Sequence, residues 1–401
     1  MTMRPCWVET DTHAFEENYR YLSGLAGGDA ELLAVVKANA YGHSVELCAP
    51  AALRAGARWL GVTSVEEGLA ARAACRRGQD AARRDAPDDT RILVMSGCFL
   101  GDGSAVVEHG LTPLVWESWQ LDELDAAARA GGRLPVHLEI DTGMSRQGIG
   151  LDDLGPLLKR FGPRGPLLLE GVMTHLLAAD ELDGRLTVLQ LTRLKEAVGQ
   201  IQAAGLRPKW LSVGNSASLL HGDAPRLGAT AARFGMKAMM RPGLSLYGLS
   251  PQFVPEEPAA VTKARARLKP VLSWKAQVVG VRTVPAGSVV GYNATFVATE
   301  PMRLALLAVG YADGLDRRLG NRFSLLVRGE RGPLVGRVSM DQAVIDVTDI
   351  PGVTAGDEVV ILGSQGAETI TAFDHAEATE TIPWEVFTRI GARVERRATS
   401  V

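Results

Sequence analysis

RWLGVTSVEEGLAARAACRRG (58–78), followed by RILVMSG (91–97), reads as a strand, a helix and a second strand. The first run is short, apolar and bounded by a turn signal. The segment after it is rich in Ala, Leu and Glu, which favour a helix. The same alternation extends both ways, with LLAVVKA (32–38) upstream and LTPLVW (111–116), VHLEID (136–141), LLEGVMTH (168–175), KWLSVGN (209–215) and SLYGLS (245–250) downstream. Helical stretches such as SWQLDELDAAARAGG (118–132) and LTVLQLTRLKEAVGQIQAAG (186–205) separate them; in the latter, Leu186, Leu189, Leu194, Val198 and Ile201 fall near one face. Strands spaced by helices imply parallel pairing through crossovers. Eight candidate strands fit a closed α/β barrel of the TIM type or an open doubly wound sheet, which spacing alone does not separate.

The texture changes after about residue 250. PQFVPEEPAAVTKARARLKP (251–270) reads as a connection, and beyond it β-type runs and turn signals predict a mostly-β domain. We expect a barrel over 11–245 and a β domain over 246–401 that the first ten residues join, with RRGQDAARRDAPDDT (76–90) a surface loop insert. The chain has 401 residues, enough for two domains, and 43 Lys+Arg against 46 Asp+Glu give a net charge of −3. That balance argues against nucleic acid held by bulk charge. No apolar run is long enough to span a membrane, and the amino terminus lacks the apolar core of a signal peptide. Cys6, Cys48, Cys75 and Cys98 are scattered without a C-x-x-C pair, so neither a disulfide framework nor a zinc site is expected, and a cytoplasmic location is.

Several chemically capable residues follow the apolar runs. Lys37 follows LLAVV, Arg146 closes VHLEIDTGMSR and His175 ends LLEGVMTH; Asn215 and Ser216 follow KWLSVG, and Arg241 precedes PGLSLYG. In a parallel barrel they converge on one face, where the active sites of such folds lie. A lysine there is ordinarily a charge leaving a strand end. Flanked by buried apolar residues, its pKa can fall from about 10.4, as imine chemistry requires.

The blocks AVVKANAYGH (34–43), HLEIDTGMSRQG (137–148), THLLAAD (174–180), VGNSAS (213–218), RPGLSLYGLSP (241–251), GYNATF (291–296), VGYADGL (309–315) and VGRVSMDQ (335–342) occur in one order along nearly the whole chain. In them the sequence resembles the alanine racemase family, pyridoxal-phosphate enzymes with a barrel domain and a C-terminal β domain. The resemblance implies a homodimeric isomerase that interconverts L- and D-alanine and supplies D-alanine for peptidoglycan. It implies that Lys37 holds the cofactor and serves as one acid/base, and that Tyr292, from the partner subunit, serves as the other. Two proton-handling groups on opposite faces suit inversion at a Cα–H centre. Arg146 matches the arginine near the cofactor's phenolic oxygen and the substrate carboxylate, Arg241 the arginine facing the pyridine nitrogen, and His175 its supporting histidine. Tyr41, Asn215, Ser216, Gly243 and Leu244 match the cofactor's surroundings, the phosphate above all. Met340, with Asp341, and Tyr311 match segments bordering the substrate, and no metal is implied. Asp313 is read as a turn residue.

Two positions depart from the family. Glu139 stands where many members carry a carbamylated lysine that holds the arginine matching Arg146, so we expect a charge-assisted bond from Glu139 to Arg146. Trp384 stands where a tyrosine usually reaches the cofactor phosphate and borders the substrate pocket. Indole donates one N–H and accepts nothing, which leaves serine or broader small-residue racemisation as an alternative to alanine. Decarboxylases of similar architecture need a carboxylate at the pyridine nitrogen, and non-catalytic cofactor carriers are usually a lone barrel. Arg241 and the β tail argue against each.

Overall fold

The first strand, β1 (Cys6–Thr10), lies outside the barrel, which begins at β2 (Ala30–Val35). The computed structural model describes residues 4–78, 90–128 and 133–399. After β2 come β3 (Trp59–Val62), β4 (Arg91–Val94), β5 (Thr112–Val115), β6 (Leu134–Glu139), β7 (Leu167–Met173), β8 (Trp210–Ser212) and β9 (Lys237–Met240). Each pairs in parallel with the next, and β9 pairs with β2, closing an eight-stranded barrel. The closed barrel is therefore the correct one of the two architectures. The strands are short and almost wholly buried, as expected where both faces are covered. Gly171 on β7 has a structural reason: a Cβ there would meet the ring of His137, which is buried inside β6.

Three expectations need correction. The eighth strand is Lys237–Met240 rather than 245–250, because Leu244–Tyr247 is a 3-10 turn. KAMM lacks the β-branched and aromatic residues that mark a strand, whereas LSLYG has the look of one. Tyr247 is buried and donates its hydroxyl to the Val35 carbonyl, 2.9 Å. In the helix Arg185–Ala203 the buried face runs through Thr187, Gln190, Leu191, Leu194, Val198 and Ile201, leaving Leu186 and Leu189 exposed. Gln190 takes the inward place because its side chain bonds the His175 carbonyl (2.8 Å), the Leu177 N–H (3.0 Å) and Thr142 Oγ1 (3.0 Å). The helix Val65–Gly78 covers the start of the expected insert, whose residues 79–89 lie outside the described residues.

Of the described residues, 13–40 and 45–270 form one compact unit, and 4–12, 41–44 and 271–399 form another. The segment 246–270 thus folds with the barrel rather than with the β domain. Its helix Ala259–Arg265 buries Val261 and Ala264 and packs on the helix Ser216–His221. In the β unit the long strand Leu272–Val284 pairs antiparallel with β1, Met302–Leu307 and Glu358–Gln365, while β1 also pairs in parallel with Glu395–Ala398. The four cysteines are buried, and none is in a disulfide. Among the described residues no helix is long and apolar enough to cross a membrane, and no group of His, Cys, Asp and Glu could hold a metal.

Candidate active site

Because the barrel strands are parallel, their carboxyl ends share one end of the barrel. Lys37 follows β2, Glu139 ends β6, His175 follows β7, Asn215 and Ser216 follow β8, and Arg241 follows β9. Arg241 is only 5% exposed. Its Nη1 donates to Ser212 Oγ (2.9 Å) and its Nη2 to the Thr174 carbonyl (2.9 Å) and His175 Nδ1 (3.3 Å). Among the described residues no carboxylate pairs with it, although the charge of Glu139 reaches it. Burial pulls its pKa to about 10, so it stays cationic at neutral pH. A guanidinium only donates, so His175 Nδ1 accepts and the imidazole proton sits on Nε2. Burial, with the charges of Arg241, Arg146 and Lys37, pushes His175 down to about 3 and keeps it neutral.

Lys37 is half-buried, and its pKa is lowered by burial and then by Arg146 and Arg241, against an opposing pull from Glu67. It opens a strained turn. Ala38, Asn39, Ala40 and Tyr41 have φ of 51, 53, 55 and 52°, a left-handed run without glycine. Such a run costs about 1–2 kcal/mol per residue and persists only where neighbouring bonds over-determine it. Here Ala38 N–H donates to Glu67 Oε1 (2.6 Å), Ala40 N–H to the Val36 carbonyl (2.9 Å), and Val45 N–H to Asn39 Oδ1 (2.8 Å).

Ser216 Oγ accepts from the backbone N–H of Gly243 (3.1 Å) and Ser245 (3.2 Å), which gathers Ser216, Gly243 and the buried Leu244 together. Asn215 caps the helix Ser216–His221 through Ser218 N–H, 3.2 Å. The hydroxyls of Ser218 and Ser245 are buried with no hydrogen-bond partner among the described residues.

Glu139 does not bond Arg146. Glu139 is 2% exposed, and its carboxylate accepts from Gln147 Nε2, which also donates to the Met95 carbonyl at 2.9 Å. Asp141 Oδ1 takes the N–H groups of Gly143 and Ser145, and Ser145 has φ 55°. In that turn Gln147 reaches Glu139, and Arg146 is exposed with no ion pair among the described residues. Burial raises the Glu139 carboxyl to about 7, against Gln147, Arg241 and Arg146, which pull it down.

The remaining candidates belong to the β unit. Tyr292 lies in the turn Tyr292–Ala294 between two short paired strands, Val289–Val290 and Phe296–Val297, and is 67% exposed. Tyr311 and Met340 are also exposed, and their segments are joined by Tyr311 N–H to the Ser339 carbonyl and Ala312 N–H to the Met340 carbonyl, both 3.0 Å. Asp313 is more than a turn residue. Fully buried, it accepts from Arg4 (3.1 Å), Arg393 (2.7 Å) and Gly310 N–H (2.8 Å), while Arg393 also bonds Asp341 at 2.7 Å. Trp384 is half-buried in the helix Pro383–Thr388, on which the segment 41–44 packs. Tyr41 is buried there, and burial raises its phenol above the ordinary range.

Sequence reasoning passed over Glu67, Gln147, Thr174 and Ser245. Gln147 sits inside a quoted block, yet nothing in its type marks it as the partner of a buried acid.

Residues 10–251 match the family described as alanine racemase, N-terminal domain, and 271–398 match alanine racemase, C-terminal domain. The alanine racemase of Symbiobacterium thermophilum is 39% identical over 396 residues, 98% of this chain and 97% of that protein. The solved alanine racemase of Streptomyces coelicolor A3(2) is 34% identical with a TM-score of 0.85, covering 99% of this chain and 98% of that one. That of Bartonella henselae, with covalently bound pyridoxal phosphate, is 28% identical with a TM-score of 0.81 over 98% and 99%. The chain belongs to the alanine racemase family.

Proposed function

We propose that this protein interconverts L- and D-alanine with pyridoxal phosphate, using Lys37 and Tyr292 as its two proton-handling residues. The observation that carries the reading is the cation Arg241, without an ion pair among the described residues, buried beside a neutral histidine at the barrel end that also presents Lys37. The residues fit the cofactor. An amine with a loosened proton suits its aldehyde, an arginine suits its ring nitrogen, and the buried hydroxyl of Ser245, next to Ser216 and without a partner among the described residues, suits its phosphate. Bound there, the cofactor would supply an electron sink that acidifies the Cα–H of an attached amino acid.

Lys37 then takes or returns the Cα proton on one face, helped by its lowered pKa. Tyr292 serves the other face. Arg241 stays protonated and would donate to the ring nitrogen, which would keep the sink weak and favour proton return over side reactions. Arg146, exposed and without an ion pair among the described residues, is available to a substrate carboxylate. Ser216, Gly243 and Leu244 would hold the phosphate end, and Asn215 supports them by capping the helix that Ser216 opens.

The active unit in this reading is a homodimer whose sites are shared. The barrel binds the cofactor, and the β domain lends Tyr292, Tyr311 and Met340 to its partner. The exposure of all three in a single chain supports it. A cytoplasmic role in supplying D-alanine for peptidoglycan follows from the reaction, with neither nucleic acid nor membrane as a partner, and four cysteines outside any disulfide accord with a reducing compartment. Trp384 leaves serine as a second substrate to test. Purified protein with cofactor should convert L-alanine to the racemic mixture, followed by chiral separation. Cofactor binding without conversion of alanine or serine would overturn the reading.

A further inference from the structure

Glu67 is the third residue of the helix Val65–Gly78, preceded by Ser64 in an S-x-x-E pattern. The ordinary use of an acid there is to close a capping box on its own helix. Half of that arrangement exists, since Glu67 N–H donates to Ser64 Oγ at 3.1 Å. The carboxylate goes elsewhere. Oε2 accepts from Thr63 N–H (2.8 Å) and Thr63 Oγ1 (3.0 Å), and Oε1 reaches across to Ala38 N–H at 2.6 Å. Ala38 directly follows Lys37 and is the first residue of the left-handed run. One carboxylate therefore ties the loop after β3 to the backbone beside the reactive lysine.

The charged groups that act on Lys37 are Arg146 from the loop after β6, Arg241 after β9 and Glu67, with the neutral His175 after β7 beside them. Glu67 is the negative one. We propose that Glu67 is a positioning residue for Lys37, clamping the Ala38 N–H so that the strained turn aims the lysine and giving its ammonium a fixed anionic neighbour. This rests on the reading of Lys37 as the cofactor-bearing base.

The test compares Glu67→Gln, which keeps the shape and one acceptor oxygen but loses the charge, with Glu67→Ala, which loses both, and with Thr63→Val, which leaves the carboxylate in place. Two quantities are read. One is the pH midpoint of Lys37 acylation by trace acetic anhydride in the cofactor-free full chain, followed by mass spectrometry; the other is kcat and KM of the holoenzyme. Removing the anion should shift the Lys37 midpoint down by about half a pH unit or more in both Glu67 variants. kcat should fall about tenfold in Glu67→Ala and less in Glu67→Gln, with KM nearly constant. Thr63→Val should leave the midpoint unmoved. An unmoved midpoint in Glu67→Gln overturns the proposal, even if kcat and Tm fall, because that is what a helix cap alone would produce. If Glu67→Ala does not fold, Glu67→Gln decides. Racemisation surviving in Lys37→Ala would instead overturn the reading of the site, whatever Glu67 does.

Discussion

Two glutamates on neighbouring strands of one barrel have opposite fates. Glu170 on β7 lies towards the amino end, where Arg91 reaches it with two bonds (3.2 and 2.7 Å) and also bonds Thr112 Oγ1 at 2.9 Å. The guanidinium of Arg91 stacks over Trp59, 4.5 Å from the ring centroid, and His137 Nε2 stands 3.7 Å from the carboxylate. Burial alone would raise Glu170, yet these partners outweigh it and hold the carboxyl down to about 2. Glu139, at the carboxyl end of β6, has a glutamine for a partner and is raised to about 7. At one end charges are paired, and at the other the buried Arg241 has no ion pair among the described residues. Unpaired buried charge is costly to folding, and its place here is the end where an anionic cofactor and substrate would complete it.

The largest effect that sharpens this contrast is expected from Lys37→Ala. Racemisation should fall at least about 10³-fold while Tm is unchanged or rises, since the removed amine is poorly solvated. A matching loss of Tm would mean that the carboxyl end is a structural cluster like the other. Arg91→Ala should do the reverse. It leaves Glu170 poorly compensated and should cost about 1–3 kcal/mol in urea unfolding, with kcat of the folded fraction kept. A large fall in kcat at constant stability would erase the division of labour between the two ends.

The smallest effect concerns Glu139→Gln. The Glu139 carboxyl sits at about 7 in the folded chain against about 4.3 unfolded, so the folded state binds the proton more tightly. The stability this contributes is complete below about pH 4.3 and is lost as pH rises through 7. Relative to Glu139→Gln, the parent should therefore lose about 1–3 kcal/mol between pH 5 and 8, measured as a falling difference in Tm. A flat difference would show that Glu139 is ionised throughout and paired by something other than Gln147.

Much of this contrast was legible in the sequence, though unevenly. Seven barrel strands announced themselves by apolar runs ending in polar or small residues. The eighth did not, because Lys237–Met240 carries two methionines and no β-branched residue, while the neighbouring 3-10 turn imitates a strand. Lys37, Arg241 and His175 could be placed because strand ends in a parallel barrel share a face. Glu67 and Gln147 could not. Each acts through the direction of a side chain across two loops, and spacing along the chain carries no trace of that. Arg146 shows the same limit from the other side: its loop was found, but the turn built on Asp141 decides that Gln147, not Arg146, meets Glu139.

The proposed mechanism has two groups on opposite faces, Lys37 and the exposed Tyr292, one removing the Cα proton and the other delivering a second proton from its own side. Its most direct test follows L- and D-alanine in D2O with the parent and with Tyr292→Phe, reading enantiomer conversion by chiral separation and Cα deuterium by mass spectrometry. The parent should give fully deuterated racemate from either enantiomer. Tyr292→Phe should still exchange the Cα–H of one enantiomer while its conversion falls about 10²-fold or more, with Tm unchanged. Racemisation by Tyr292→Phe at the parental rate would contradict the account.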